Sequence, residues 1–218
     1  MNPASVLAAT LGFRPQVQPP EPLRTGISTL DGLTGGFPRG AISELAGPES
    51  SGRATLAHSV LASATASLEI CAYVDTNDAF DPCSAAASGV GLQQLLWVRC
   101  GGHTEHAFKI ADLLLHAGGF GVVVLDLSRT PDRVCRRIPI SYWHRFRRAI
   151  ENTPTILMVM EREPLAKSCA SLILELTRKK AVWTGAPGFH LLQRVVCEAA
   201  PRKPVRQGTA QFQARALA

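Results

Sequence analysis

The chain has 218 residues, a length for one domain of ordinary size with short extensions. Hydrophobic residues make up 46% and charged residues 18%, which supports a packed core and excludes a wholly disordered chain. The net charge of +6 is unevenly placed: residues 1–128 hold 6 Lys/Arg against 11 Asp/Glu, and residues 129–218 hold 17 against 6. That asymmetry points to an anionic partner for the second half, nucleic acid first, with solubility alone as the plain alternative.

No apolar run is long enough for a membrane-spanning helix, and the opening MNPASVLAATLGFRPQ has no basic region or long apolar stretch of a secretion signal. The six cysteines lie at least 12 residues apart, so no CxxC metal pair occurs. Reduced thiols and a cytoplasmic location are expected. His103, Glu105 and His106 lack a further ligand, so no metal site is expected. No GxSxG or HExxH motif is present.

In chain order, residues 1–24 carry Pro15, Pro19, Pro20 and Pro22 and read as a Pro-rich arm. Residues 25–40 hold five glycines, typical of turns around a short helix. A strand (41–46), a loop (47–54) and a helix (55–68, with Leu56, Val60, Leu61, Ala64 and Leu68 at helical spacing) follow. Strands are predicted at 69–76 and 95–100. A helix from Thr104 turns Phe108, Ile110, Ala111, Leu114 and Leu115 inward and stops at Gly118-Gly119. The apolar run 121–127 reads as a central parallel strand. A basic helix (140–151) and strands at 155–160, 170–177 and 189–196 complete a core over 25–200, leaving 201–218 as a basic flexible tail. This alternation predicts a mainly parallel α/β sheet with helices on both faces and antiparallel strands at the C-terminal edge.

Gly47-Pro-Glu-Ser-Ser-Gly52-Arg53-Ala54 has the G-x4-G frame of a phosphate-binding loop between a strand and a helix. Such glycines let backbone amides converge on an anion at the helix N-terminus. Gly47, Glu49, Ser50, Ser51, Gly52, Arg53, Ala54 and Thr55, with Asp126, are therefore the candidate nucleotide-site residues. Two chemical positions are changed. The lysine that reaches the β and γ phosphates is Arg53, and the hydroxyl that ligates magnesium is Ala54. Thr55 is one position late, about 100° around the helix. Three readings stand: an inherited strand-to-helix turn, nucleotide binding without turnover, and hydrolysis.

The segment TGISTLDGLTGGFPRGAISELAGPESSGRATL resembles the start of a RecA-type P-loop NTPase core. AYVDTNDAFDP, FGVVVLDL and TILMVM resemble that family's next strand and turn, its Walker B strand with Asp126 as the acid, and the strand before its second DNA-binding loop. The resemblance places the family's catalytic glutamate at Asn77 and its adenine-stacking aromatic near Ser84, and it retains Asp81. A missing general base costs roughly 10²–10⁴ in rate. No catalytic residue is assigned, and the implied role is non-enzymatic, with ATP binding without hydrolysis as the residual capacity. A short, degenerate core of this kind is similar to the ImuA accessory proteins of bacterial translesion synthesis, part of the SOS response to DNA damage. That similarity implies an ImuB-like inactive Y-family polymerase homologue as partner and, through it, an error-prone polymerase. Single-stranded DNA and RecA itself are further implied partners, and a cytoplasmic, nucleoid-associated location follows. Two alternatives are a DNA-dependent ATPase of the RecA type and a division inhibitor resembling SulA, which lacks so faithful a loop.

Residues 129–148 hold seven arginines and one acid, Asp132. Ile140, Trp143, Phe146 and Ile150 form a core-facing stripe. Arg145 and Arg148 fall off it, and Arg133, Arg136 and Arg137 occupy the place of the family's first DNA loop; these five are the candidate DNA contacts. Arg202, Lys203, Arg206 and Phe212 are candidate partner contacts, with Phe212 as anchor, against a plain reading as a solvated extension.

Overall fold

The computed structural model describes residues 20–185 and 188–215; most of the Pro-rich arm and the last three residues lie outside them. Five strands, β1 (Ala41–Ala46), β2 (Cys71–Asp75), β3 (Leu95–Arg99), β4 (Val122–Asp126) and β5 (Ile156–Glu161), are joined by helical connections. Three longer or later strands follow: β6 (Ala170–Thr184), β7 (Leu191–Lys203) and β8 (Ala210–Arg215). They form one sheet in the order β3-β2-β4-β5-β1-β6-β7-β8. Pairing is parallel from β3 to β6 and antiparallel from β6 to β8. The predicted fold class therefore holds.

Both faces of the parallel part are covered, which is why β4 is apolar at every position up to Asp126 and wholly buried. On one face, α1 (Ser28–Thr34) and α2 (Arg53–Ala66) bury Leu30, Leu56, Val60 and Leu61. On the other, α4 (Thr104–Ala117) and α6 (Ile140–Ile150) interlock. Phe108 meets Trp143 edge-on at 5.4 Å between ring centroids and stacks on Phe146 at 5.7 Å. Trp143, Phe146 and Ile150 are buried as their spacing predicts, whereas Ile140, the helix's first residue, stays exposed at its open end. Two short helices, α3 (Pro82–Ala87) and α5 (Asp132–Cys135), sit in the connections after β2 and β4.

The C-terminal region departs from expectation. The strand predicted to end at 177 runs to Thr184, and residues 201–203 complete β7. Residues 210–215 form β8, so this part of the chain is a sheet edge and not a flexible tail. The physical reason is a period of two: Ala210 and Phe212 are buried, while Gln211 and Gln213 face water. Polar residues and Gly208 hide that pattern among basic residues. The basic side chains here are also engaged within the chain. Arg202 pairs with Glu175, Lys203 Nζ donates to the Ser168 carbonyl at 3.0 Å, and Arg206 donates to the Leu33 carbonyl at 2.7 Å.

Candidate functional site

The parallel strands deliver their C-terminal ends to one edge of the sheet, where an open α/β sheet places its ligands. Asp75 lies beside Asp126, and Glu161 lies beside Ala46, the last residue before the phosphate loop. A cavity of about 720 Å³ opens there. It is lined by residues 49–55 on one wall and by Tyr73, Phe80, Ser84, Asp126 and Arg129 across from them. The structure thus brings together every predicted nucleotide-site residue except Gly47, which lies just behind, its amide donating to the Glu161 carbonyl at 3.1 Å. Thr55, one position late in sequence, still lines the cavity.

Backbone sterics shape the loop wall. Gly52 holds φ at +94°, and a Cβ there would come within 2.8 Å of Cys197 Sγ and the Phe212 ring. Glycine is needed for both reasons, conformation and close approach. Phe212 is accordingly buried behind the loop; this overturns its reading as a partner anchor, because its ring is already spent on the chain's own core. Two polar atoms of this wall have no hydrogen-bond partner: Ser51 Oγ and Arg53 Nη1. Both residues are buried, at 1% and 7% exposure. Burial lowers the pKa of the Arg53 guanidinium, opposed by the nearby charges of Asp126 and Glu161.

The facing wall is bonded to itself. Tyr73 Oη donates to Asp126 Oδ2 at 2.8 Å, and the Ser128 amide donates to Oδ1 at 2.9 Å, joined by the Ser128 hydroxyl. Asp126 is 3% exposed, and burial raises its carboxyl above the usual range. Asp75 accepts from the amides of Ala79 and Phe80 and from Trp97 Nε1. Asn77 Oδ1 accepts from Thr130 Oγ1 at 2.9 Å, which ties the turn after β2 to the segment after β4. Asp81 caps α3 through the amides of Cys83 and Ser84. Phe80 packs on Tyr73 at 4.4 Å and edge-on to His58 at 5.8 Å, so an aromatic does line the cavity near Ser84.

Sequence reasoning missed a buried acidic pair beneath the loop. Glu44, in the middle of β1, accepts from the amides of Leu165 and Ala166 at 2.7 and 2.6 Å. Glu161 is fully buried, and burial first, then the Glu44 charge, pushes its carboxyl well above the usual range. Above them, Arg162 pairs with Glu49 of the loop at 3.0 Å. The signal available was two acids in largely apolar strands; their juxtaposition depends on the β1–β5 register.

The candidate DNA-contact arginines separate into groups. Arg133, Arg136 and Arg137 are exposed on and after α5, Arg136 lying 3.9 Å from the exposed Glu163. Arg148 is exposed, while Arg145 is paired with Asp112 of α4 at 2.6 Å. His103 and His106 lie 5.0 Å apart, and no group of three potential metal ligands occurs among the described residues.

A sequence profile described as the RecA N-terminal domain matches residues 10–131, more than half the chain. The chain belongs to the RecA N-terminal domain family. Curated relatives include Protein RecA of Thermotoga neapolitana, 42% identical over 118 residues, covering 53% of this chain and 33% of that protein. Protein RecA of Rhodospirillum rubrum is 45% identical over 119 residues, covering 53% and 32%. The chain thus spans about a third of the length of these RecA relatives. A crystal structure of the RadB recombinase superposes with a TM-score of 0.64 at 20% identity, covering 88% of this chain and 95% of that one. The RecA-like fold therefore extends through β5–β8, beyond the stretch that the family profile matches.

A RecA-type core implies a nucleotide with magnesium, and the two parts fit this cavity differently. A phosphate chain fits: the loop amides lie at the N-terminus of α2, and Ser51 Oγ and Arg53 Nη1 lack partners. Magnesium does not fit: Ala54 offers no oxygen, and Asp126 is held by Tyr73 and Ser128.

Proposed function

We propose that this chain is a RecA-like accessory protein that does not turn over ATP and serves DNA-damage tolerance by joining a polymerase-like partner to DNA. One observation carries the non-catalytic part. The wall that should hold the metal and prime water has closed on itself, through Tyr73–Asp126 and Asn77–Thr130. Asn77 carries no group that accepts a proton at neutral pH, so no general base stands where the family resemblance puts one. Arg53 and Ala54 at the loop's two chemical positions, with the resemblance to ImuA proteins read from the sequence, are the grounds for a place in translesion synthesis. They also make an ImuB-like inactive Y-family polymerase homologue the partner to test, with an error-prone polymerase and RecA beyond it.

The exposed arginines Arg133, Arg136 and Arg137 support single-stranded DNA as a ligand, flanked by Arg148. Arg145 contributes less, since Asp112 already neutralises it. Arg202, Lys203 and Arg206 bond within the chain and are not proposed as partner contacts.

The deciding measurement is phosphate release with ATP, magnesium and single-stranded DNA. No release above that of an Arg53→Ala control is expected; DNA-stimulated release would restore the reading as a RecA-type ATPase. Co-purification of a polymerase-like protein from DNA-damaged cells tests the second half. Retrieval of a division tubulin homologue instead would favour a division inhibitor.

A further inference from the structure

We infer that the cavity binds the phosphate chain of a nucleoside di- or triphosphate without magnesium, with the Arg53 guanidinium in the metal's charge-balancing role. This deepens the non-catalytic reading above and rests on it for the state of Asp126 and Asn77.

Two buried side chains of the loop wall are left unpaired. Arg53 is charged and buried, yet its Nη1 has no acceptor. Leaving such a donor unsatisfied is costly unless a ligand supplies the acceptor. Ser51 Oγ, equally buried, faces the same deficit in the same loop. Both residues line the cavity, at the N-terminus of a 14-residue helix whose first amides also seek an anion. Two residues with unpaired donors and a helix N-terminus thus border one volume, which is large enough for a nucleotide, and a phosphate oxygen entering it would offer the acceptor that Arg53 lacks.

Magnesium on a phosphate chain cancels part of its negative charge and asks the protein for oxygen ligands. Here Ala54 has none, and Asp126 already accepts from Tyr73 on Oδ2 and from the Ser128 amide and hydroxyl on Oδ1. A planar, permanently charged guanidinium matches bare phosphate oxygens with two donors. The guanidinium then supplies one positive charge where no oxygen ligand for the ion stands, and chelated nucleotide brings less charge to Arg53. The metal-free form is the preferred ligand.

Equilibrium binding of ADP and ATP to the full chain, by calorimetry in EDTA and again in millimolar magnesium, tests this. Binding in EDTA that is equal to or tighter than in magnesium is expected. Arg53→Ala should weaken it about tenfold or more, the scale of a lost hydrogen bond to a charged group. Arg53→Gln, close in size but uncharged, serves if the alanine variant does not fold. Binding that strengthens on adding magnesium, the absence of binding in EDTA, or unchanged affinity in a folded Arg53 variant each overturns the inference. None of these outcomes involves phosphate release, so failure here is separable from failure of the non-catalytic reading.

Discussion

The two walls of the cavity are bonded differently. The phosphate-loop wall keeps its backbone turn and leaves Ser51 and Arg53 without partners. The wall across from it, built on β2 and β4, has bonded Asp126 to Tyr73 and Ser128 and Asn77 to Thr130. An unsatisfied buried donor is costly, and the ligand proposed above would offer acceptors to Ser51 and Arg53. Asp126 and Asn77 are paired within the chain. The contrast sets a wall with free side-chain donors against one whose Asp126 and Asn77 are already bonded, within the stretch that matches the RecA N-terminal domain.

The largest expected effect bears on the loop wall. Phe212→Ala empties the space behind Gly52 and should cost about 3–5 kcal/mol of unfolding free energy in urea titrations, as large aromatic deletions do. It should also weaken ADP binding, because the loop loses its backing. A variant with native stability would mean that the loop stands without the C-terminal strands.

Next comes the acid wall. Tyr73→Phe removes a hydrogen bond to a buried carboxylate and should cost about 1.5–3 kcal/mol. ADP binding in EDTA should survive it. If Tyr73→Phe instead abolished binding, the two walls would not be separable.

The buried acidic pair gives a smaller, pH-dependent effect. Burial raises both Glu44 and Glu161 above the ordinary value of 4.5, so the folded state holds protons more tightly than the unfolded chain. Their stabilising contribution is complete below that value and is lost as pH rises through the folded pKa values. Denaturation midpoints of the native chain should therefore fall as pH rises above 4.5, and Glu161→Gln should flatten that decline. A native profile flat over this range would contradict the assignment.

The smallest stability change lies outside both walls. Replacing Arg133, Arg136 and Arg137 with alanine should alter stability by no more than about 0.5 kcal/mol at each site. If these residues touch single-stranded DNA, the log–log salt slope of binding should shrink by about 2. An unchanged slope would assign that basic face to protein contact.

Much of the fold was readable because local and global signals agree. The apolar run at Val122–Leu125, the Gly47–Gly52 frame and the spacing of Trp143, Phe146 and Ile150 each report on structure their own neighbours determine. The loop wall of the site was legible for the same reason. The acid wall was not: Tyr73 reads as a core aromatic until the β2–β4 register brings its hydroxyl to Asp126. Glu161 and Glu44 likewise meet only through β1–β5 pairing. Phe212 was misread because a short edge strand of glutamines and alanines carries little hydrophobic signal, and its partner Cys197 is fifteen residues away.

The brace of Phe212 and Cys197 against Gly52 makes the end of this chain a poor place to cut. Trimming residues 210–218 would strip β8 from the sheet and turn β7 into a bare edge with unpaired amides, ready to zip onto other chains. Shortened versions would then clump and lose the backing of the phosphate loop together, a double defect that a docking experiment could misread as a severed interaction.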